Sequence, residues 1–170
     1  MNGPTTSPAR RRAKPSIRAF AGDRQASSQP LGYVLLAEDD TELRRLVEWS
    51  LEEEGFVVHS AGDGRAMLEL LEAAARDEIP LPDVLVMDVR MPQYDGLDVL
   101  RALRLSRWDV PVVLMTAFPD DRTLEAAKDL GATCTLSKPV DMDDLVRAVS
   151  IVHDLARERE LLRSRVGPPF

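Results

Sequence analysis

The sequence predicts an α/β protein built on a doubly wound parallel sheet, and three observations carry that expectation. The runs Tyr33 to Ala37, Val84 to Met87 and Pro111 to Met115 are apolar throughout. They lack the alternation of a strand with one wet face, so they read as strands buried on both faces, as in parallel sheets. Between them lie stretches whose apolar residues recur at helical spacing. The polar residues that close the runs, Glu38 and Asp39, then Asp88, Thr116 and Lys138, would all meet at one edge of such a sheet. Open α/β folds hold their chemistry at that edge.

The first strand covers Val34 to Ala37. Asp40 follows as an acid suited to a helix N-terminus, and Leu43, Leu46, Val47, Ser50 and Leu51 keep helical spacing up to Gly55. Phe56 to His59 forms a short second strand, and Arg65 to Arg76 a second helix offering Met67, Leu68 and Leu71 to the core. Pro80 and Pro82 mark the loop before the third strand, Val84 to Asp88. Asp95 caps a helix from Gly96 to Leu105. After the fourth strand, Pro111 to Met115, Asp120 or Asp121 opens a helix that stops at Gly131. Thr133 to Leu136 is the fifth strand, and the last helix runs from Met142 onward.

Composition excludes several classes. No apolar stretch reaches the ~18 residues of a membrane span, so no membrane association is expected and a cytoplasmic location is. Cys134 is the only cysteine, which removes any internal disulfide and suits a reducing compartment. It sits in an apolar run and reads as an inert thiol. Residues 1–30 hold Arg10, Arg11, Arg12, Lys14, Arg18 and Arg24 against Asp23 alone, so the remainder is more acidic than the formal net charge of −7. Rich in Ser, Pro, Gly and Ala, this segment reads as a disordered basic tail; its composition also suits a transit peptide or a contact with nucleic acid or membrane surface.

Taken together, Leu35-Leu36-Ala37-Glu38-Asp39-Asp40, Met87-Asp88-Val89-Arg90-Met91-Pro92-Gln93-Tyr94-Asp95-Gly96, Thr116-Ala117, Gly131-Ala132 and Leu136-Ser137-Lys138-Pro139 resemble the receiver domain of two-component response regulators. The resemblance covers residues 31–155, leaving 1–30 as the tail and 156–170 as an extension of the last helix with a C-terminal tail. It implies a flavodoxin-like (βα)5 fold with strand order 2-1-3-4-5. It further implies a stand-alone phosphoacceptor switch, not an enzyme beyond its own phosphorylation and dephosphorylation, partnered by a sensor histidine kinase or phosphotransfer protein and a downstream protein target. The Lys138-Pro139 bond resembles the family's cis peptide.

The residue types support that chemistry. Neighbouring carboxylates raise each other's pKa unless a cation compensates, and hard oxygen ligands open to solvent suit Mg²⁺. Asp39 and Asp88 are the expected side-chain ligands, with Glu38 orienting a metal-bound water; by the family's pattern, the backbone carbonyl of Arg90 completes the set. A metal alone would not require Thr116 and Lys138. A phosphoryl group on Asp88 would, because the Lys138 ammonium neutralises its oxygens and the Thr116 hydroxyl donates to one of them.

Blander readings exist for each residue: a helix-start acid cluster for Glu38 to Asp40, a turn acid for Asp88, a strand-end hydroxyl for Thr116 and a solvated lysine for Lys138. His59 and His153 lack a ligand-spaced partner and read as surface or structural histidines, and Trp49 and Trp108 as packing or surface aromatics. A haloacid-type phosphatase would want an acid where Arg90 stands. A nucleotide binder would want glycines after the first strand, and a DNA-binding regulator would want an output domain, so direct DNA binding is not expected. The remaining alternatives are a receiver-fold interaction module phosphorylated weakly or never, and a receiver fragment of a longer regulator. Two departures bear on this: Thr135 stands where the family usually has an aromatic switch residue, and the acidic pair is Glu-Asp rather than Asp-Asp.

The last helix carries Leu145, Ala148, Val152, Leu155, Arg159, Leu162 and Val166 in steps of three and four, a heptad seam broken by Arg159. Two readings fit it: a short coiled-coil contact, for a homodimer or a partner helix, and an ordinary amphipathic helix.

Overall fold

The computed structural model describes residues 29–166; the basic tail of the sequence lies outside the described residues, apart from Gln29 and Pro30. Strands and helices alternate throughout: β1 (Tyr33–Ala37), α1 (Thr41–Glu54), β2 (Val57–Ala61), α2 (Gly64–Ala75), β3 (Val84–Asp88), α3 (Gly96–Leu105), β4 (Val112–Thr116), α4 (Asp121–Asp129), β5 (Cys134–Ser137) and α5 (Met142–Val166). All strand pairs are parallel, in the order β2-β1-β3-β4-β5. This is the expected doubly wound, flavodoxin-like sheet. Its order reverses between β1 and β3, so the C-terminal ends of these two strands border the crevice where such sheets bind ligands.

Alternate strand residues divide the core in two. Val34, Leu36, Val84, Val86, Val113 and Met115 pack with Val47 and Leu51 of α1 and with Leu145, Val149 and Val152 of α5. On the other face Leu35, Ala37, Leu85, Met87, Val112 and Leu114 pack with residues of α2, α3 and α4. The central strands β3 and β4 are buried along their whole length, which explains their unbroken apolar sequences.

Helix starts follow the capping acids. Asp40, Asp63, Asp95 and Asp120 each accept hydrogen bonds from backbone N–H groups of the first turn, and each satisfies a donor the helix itself leaves open. Gly55 ends α1 with φ of 113°, where a side chain would be strained.

Element boundaries differ from the sequence reading by one or two residues at β1, β2, α2, β4 and β5. Phe56 precedes β2 and turns into the core, edge-on to the buried His153 with ring centroids 5.5 Å apart. Trp108 packs against the core whereas Trp49 and Leu46 are exposed. Cys134 is half-buried, and burial pushes its thiol pKa up, away from reactivity.

The heptad seam of the last helix needs correcting. Leu145 and Val152 are buried in the protein's own core and cannot serve an intermolecular contact. Among the α5 residues whose burial is described, the exposed large apolar ones are Ile151, Leu155, Leu161 and Leu162, so the free stripe is rotated from the predicted one.

Candidate functional site

The sheet brings the predicted acids to one place. Glu38 and Asp39 leave the end of β1, and Asp88 ends β3 beside them, with Ala37 in register against Met87. Their carboxylate oxygens lie within 4.8 Å of one another. Glu38 is fully buried and Asp88 nearly so, while Asp39 is exposed. Lys138 follows β5, and its N–H donates to the carbonyl of Thr116 at 2.7 Å, which ties the lysine loop to the end of β4. From there the Lys138 Nζ reaches across the site. It donates to Asp88 Oδ2 at 2.5 Å and to both Glu38 oxygens at 3.0 and 2.8 Å.

Backbone groups hold the carboxylates from the other side. The Arg90 N–H donates to Asp88 Oδ1 at 3.2 Å and the Asp40 N–H to Glu38 Oε1 at 3.2 Å. The loop after β3 is closed by Gly96, whose N–H donates to the Val89 carbonyl at 2.8 Å. A Cβ at Gly96 would stand 2.3 Å from the Asp88 carbonyl oxygen, so only glycine lets α3 begin this close to the strand end. Thr116 is buried, and its Oγ1 accepts from the Phe118 N–H at 3.1 Å. Lys138-Pro139 is cis, as the resemblance implied.

Charges are unevenly matched here. Burial pushes the Glu38 carboxyl above its ordinary value; the bond to Lys138 pulls it down, the Asp88 charge pushes it up again, and the net effect is upward. For Lys138, burial alone would weaken the ammonium, but the bonds to Asp88 and Glu38 outweigh it and the pKa rises. One ammonium shared by two buried carboxylates is well stabilised itself, yet leaves each carboxylate incompletely compensated. With the exposed Asp39 included, the set of carboxylates retains negative charge on hard oxygen donors that lie close together. That donor chemistry fits a small dication.

Three contacts escaped the sequence reading. Arg44, one turn into α1, donates to the Glu38 carbonyl at 2.6 Å and fixes the β1–α1 turn. Gly96 makes the close approach just described. The Arg90 guanidinium carbon lies 4.5 Å from the centre of the Phe118 ring, a cation–π contact between the loops that follow Asp88 and Thr116. Gly96 carried a readable signal, a glycine after a capping acid; the Arg44 and Arg90 contacts had none.

Comparison with known proteins agrees with this geometry. The chain belongs to the response regulator receiver domain family, whose model matches residues 34–150. It is 37% identical over 135 residues to the transcriptional regulatory protein PdtaR of Mycobacterium tuberculosis, covering 79% of this chain and 62% of that protein. To the response regulator MprA of Mycobacterium leprae it is 39% identical over 130 residues, covering 76% and 50%. The chain thus spans roughly half to three fifths of the length of these relatives. Among solved structures, the receiver domain of the Francisella response regulator 1452 superposes with a TM-score of 0.65 at 30% identity, covering 74% of this chain and 98% of that one. The receiver domain of the response regulator NarL from M. tuberculosis gives 0.63 at 32%, covering 74% and 96%. Among the described residues, no helix is long and apolar enough to cross a membrane.

Proposed function

We propose that the chain is a cytoplasmic phosphoacceptor switch in which Asp88 takes a phosphoryl group from a phosphohistidine of a sensor histidine kinase or phosphotransfer protein. The observation that carries this is the Asp88 carboxylate itself. It is nearly buried at a strand end, with one oxygen on Lys138 and the other on the Arg90 N–H, beside a cluster of acids. A carboxylate of purely structural use would not need so polar a setting so close to solvent. In the transfer, the P–N bond of the donor breaks as a P–O bond to Asp88 forms, and the electron pair stays on the donor nitrogen. Such a transfer depends on alignment and charge neutralisation rather than on a strong base.

Asp39, Asp88 and the Arg90 carbonyl would hold Mg²⁺, with Glu38 supporting them from behind. When bound, Mg²⁺ supplies positive charge to the oxygens of the transferring group. Lys138 can exchange its contact with Asp88 Oδ2 for a phosphoryl oxygen on the same carboxylate. Thr116 accepts from the Phe118 N–H, so its own O–H is available to donate to the phosphoryl group. Moving to do so would draw the Ala117–Phe118 loop with it, and thereby change the surface around α4. That surface would recognise a downstream protein. Thr135, half-buried on β5, offers no ring to follow Thr116 inward, so the change would rest on the loop.

Treatment of the full chain with acetyl phosphate should add one phosphoryl group to its intact mass, in the presence of Mg²⁺ and not in EDTA. No gain under either condition, with a phosphorylated histidine donor also inert, would leave a constitutive interaction module. The lifetime of the product is a separate expectation. Phe118 is exposed over the loop and stacked by Arg90; this apolar cover orients no water and hinders its approach. Phe118→Asn should accelerate hydrolysis several-fold in a phosphate-release assay, and an unchanged rate would show that the ring does not shield the phosphoryl group.

A further inference from the structure

Asp39 is exposed, and among the described residues no group donates to its carboxylate. Glu38 and Asp88, by contrast, are anchored by Lys138 and by backbone N–H groups. The place of the Asp39 carboxylate beside them therefore depends on the backbone from which it hangs. The peptide that joins Glu38 to Asp39 is planar and rigid, so fixing its carbonyl fixes the start of Asp39.

Arg44 does this from the first turn of α1. Its Nη1 donates to the Glu38 carbonyl at 2.6 Å, while the Glu38 N–H donates to the carbonyl of Ala61, at the end of β2, at 3.2 Å. The helix brings the side chain into place, because the Arg44 N–H closes the first turn on the Asp40 carbonyl at 2.8 Å, and its Nη2 donates to Thr41 Oγ1 at 3.4 Å. Gly62, after β2, has no side chain to crowd the guanidinium; a Cβ there would already stand 3.4 Å from Nη1. Beyond Asp39, the Asp40 N–H donates to Glu38 Oε1 at 3.2 Å, so the peptides on both sides of Asp39 are tied.

We infer that Arg44 is a positioning residue for the cation site, given that Asp39 and Asp88 hold Mg²⁺ as proposed above: by holding the Glu38 carbonyl, it keeps the Asp39 carboxylate beside Asp88. Charge and position make opposite demands here. Arg44 puts a positive charge next to the acids, so by charge alone its removal would draw a dication in more tightly. Loss of its bond to the carbonyl instead lets Asp39 drift and weakens binding. The guanidinium is half-buried, and salt screens its charge, whereas partners that orient metal ligands are typically worth about ten- to a hundredfold in affinity. Position wins. The side-chain bonds of Arg44 go to Glu38 and Thr41 rather than to Asp88, Thr116 or Lys138, so the loss falls on binding of the ion and not on transfer once it is bound.

Calorimetric titration of the full chain with MgCl2 should give an affinity about tenfold weaker for Arg44→Ala than for the parent, with unchanged circular dichroism. Arg44→Lys keeps the charge and most of the reach, and should recover most of the affinity. Phosphoryl uptake from acetyl phosphate should need correspondingly more Mg²⁺ in Arg44→Ala, yet approach the parent rate at saturation. A purely structural role would lower the unfolding midpoint and leave the Mg²⁺ affinity of the folded protein unchanged. Arg44→Ala that binds Mg²⁺ as tightly as the parent, or more tightly, overturns the positioning role and leaves the metal site standing. So does a saturating rate that falls as far as the affinity. A parent chain that binds no Mg²⁺ would instead refute the proposed metal role of Asp39 and Asp88, and with it this role for Arg44.

Discussion

Lys138→Ala is expected to destabilise the protein by about 3–5 kcal/mol at neutral pH, the range for removing one partner from a buried ion pair. Lys138 keeps only 16% of its side-chain surface exposed, and its carboxylate partners Glu38 and Asp88 keep 0% and 7%. Solvent therefore screens little of what is lost, unlike at a surface pair. The deficit should shrink as the pH falls. Glu38 already has a raised pKa in the folded protein, and without Lys138 it rises further. Between the ordinary carboxylate value and that raised one, the folded state holds a proton that the unfolded chain has released, so acidification through this window favours folding. Urea unfolding at pH 7 and about pH 5, near the upper end of ordinary carboxylate titration, measures both effects. A loss below about 1 kcal/mol at pH 7 would place the pair among solvent-screened contacts.

Gly96→Ala is expected to cost about 3 kcal/mol or more and to abolish phosphoryl uptake. The added methyl would meet the Asp88 carbonyl oxygen at 2.3 Å, its carbonyl carbon at 3.1 Å and Val89 Cα at 3.2 Å. Backbone atoms cannot rotate away as a side chain can, so the β3–α3 junction must shift, and overpacking of this kind is destabilising even where side chains can yield. The shift falls on Asp88 and on the Arg90 N–H that holds it. Gly62→Ala is the control, because the nearest atoms to its methyl would be those of the Arg44 guanidinium, at 3.4 Å and beyond; a change below about 1 kcal/mol is expected there. Equal unfolding midpoints for the two variants would refute the packing argument.

The strands and the residues that gather at the candidate site were legible in the sequence for a common reason. A strand buried on both faces has to be apolar from end to end, so a charged or hydroxyl residue at its close stands out, as Asp88 does after Val84 to Met87. Parallel connection then delivers every such residue to one edge. Strand order is different: no hydropathy pattern distinguishes β1 beside β3 from β1 beside β4, and here the order came from the family resemblance. The seam of α5 was misjudged because three-four spacing defines a stripe only relative to a neighbour. At about 100° per residue the row of Leu145 and Val152 lies roughly 80° around a straight α-helix from the row of Leu155 and Leu162, so the first could turn to the core while the second turned to solvent. Contacts such as Arg44 with the Glu38 carbonyl, or Arg90 with Phe118, join loops whose approach is set by the whole sheet.

The most direct test of the central claim is chemical mapping of the modified residue. An aspartyl phosphate is an acyl phosphate, which borohydride reduces to homoserine with release of phosphate. After treatment with acetyl phosphate and Mg²⁺, reduction and proteolysis, peptide mass spectrometry should find homoserine at position 88 and nowhere else. Homoserine at position 39 or 95, or undiminished phosphoryl uptake by Asp88→Asn, would contradict the assignment.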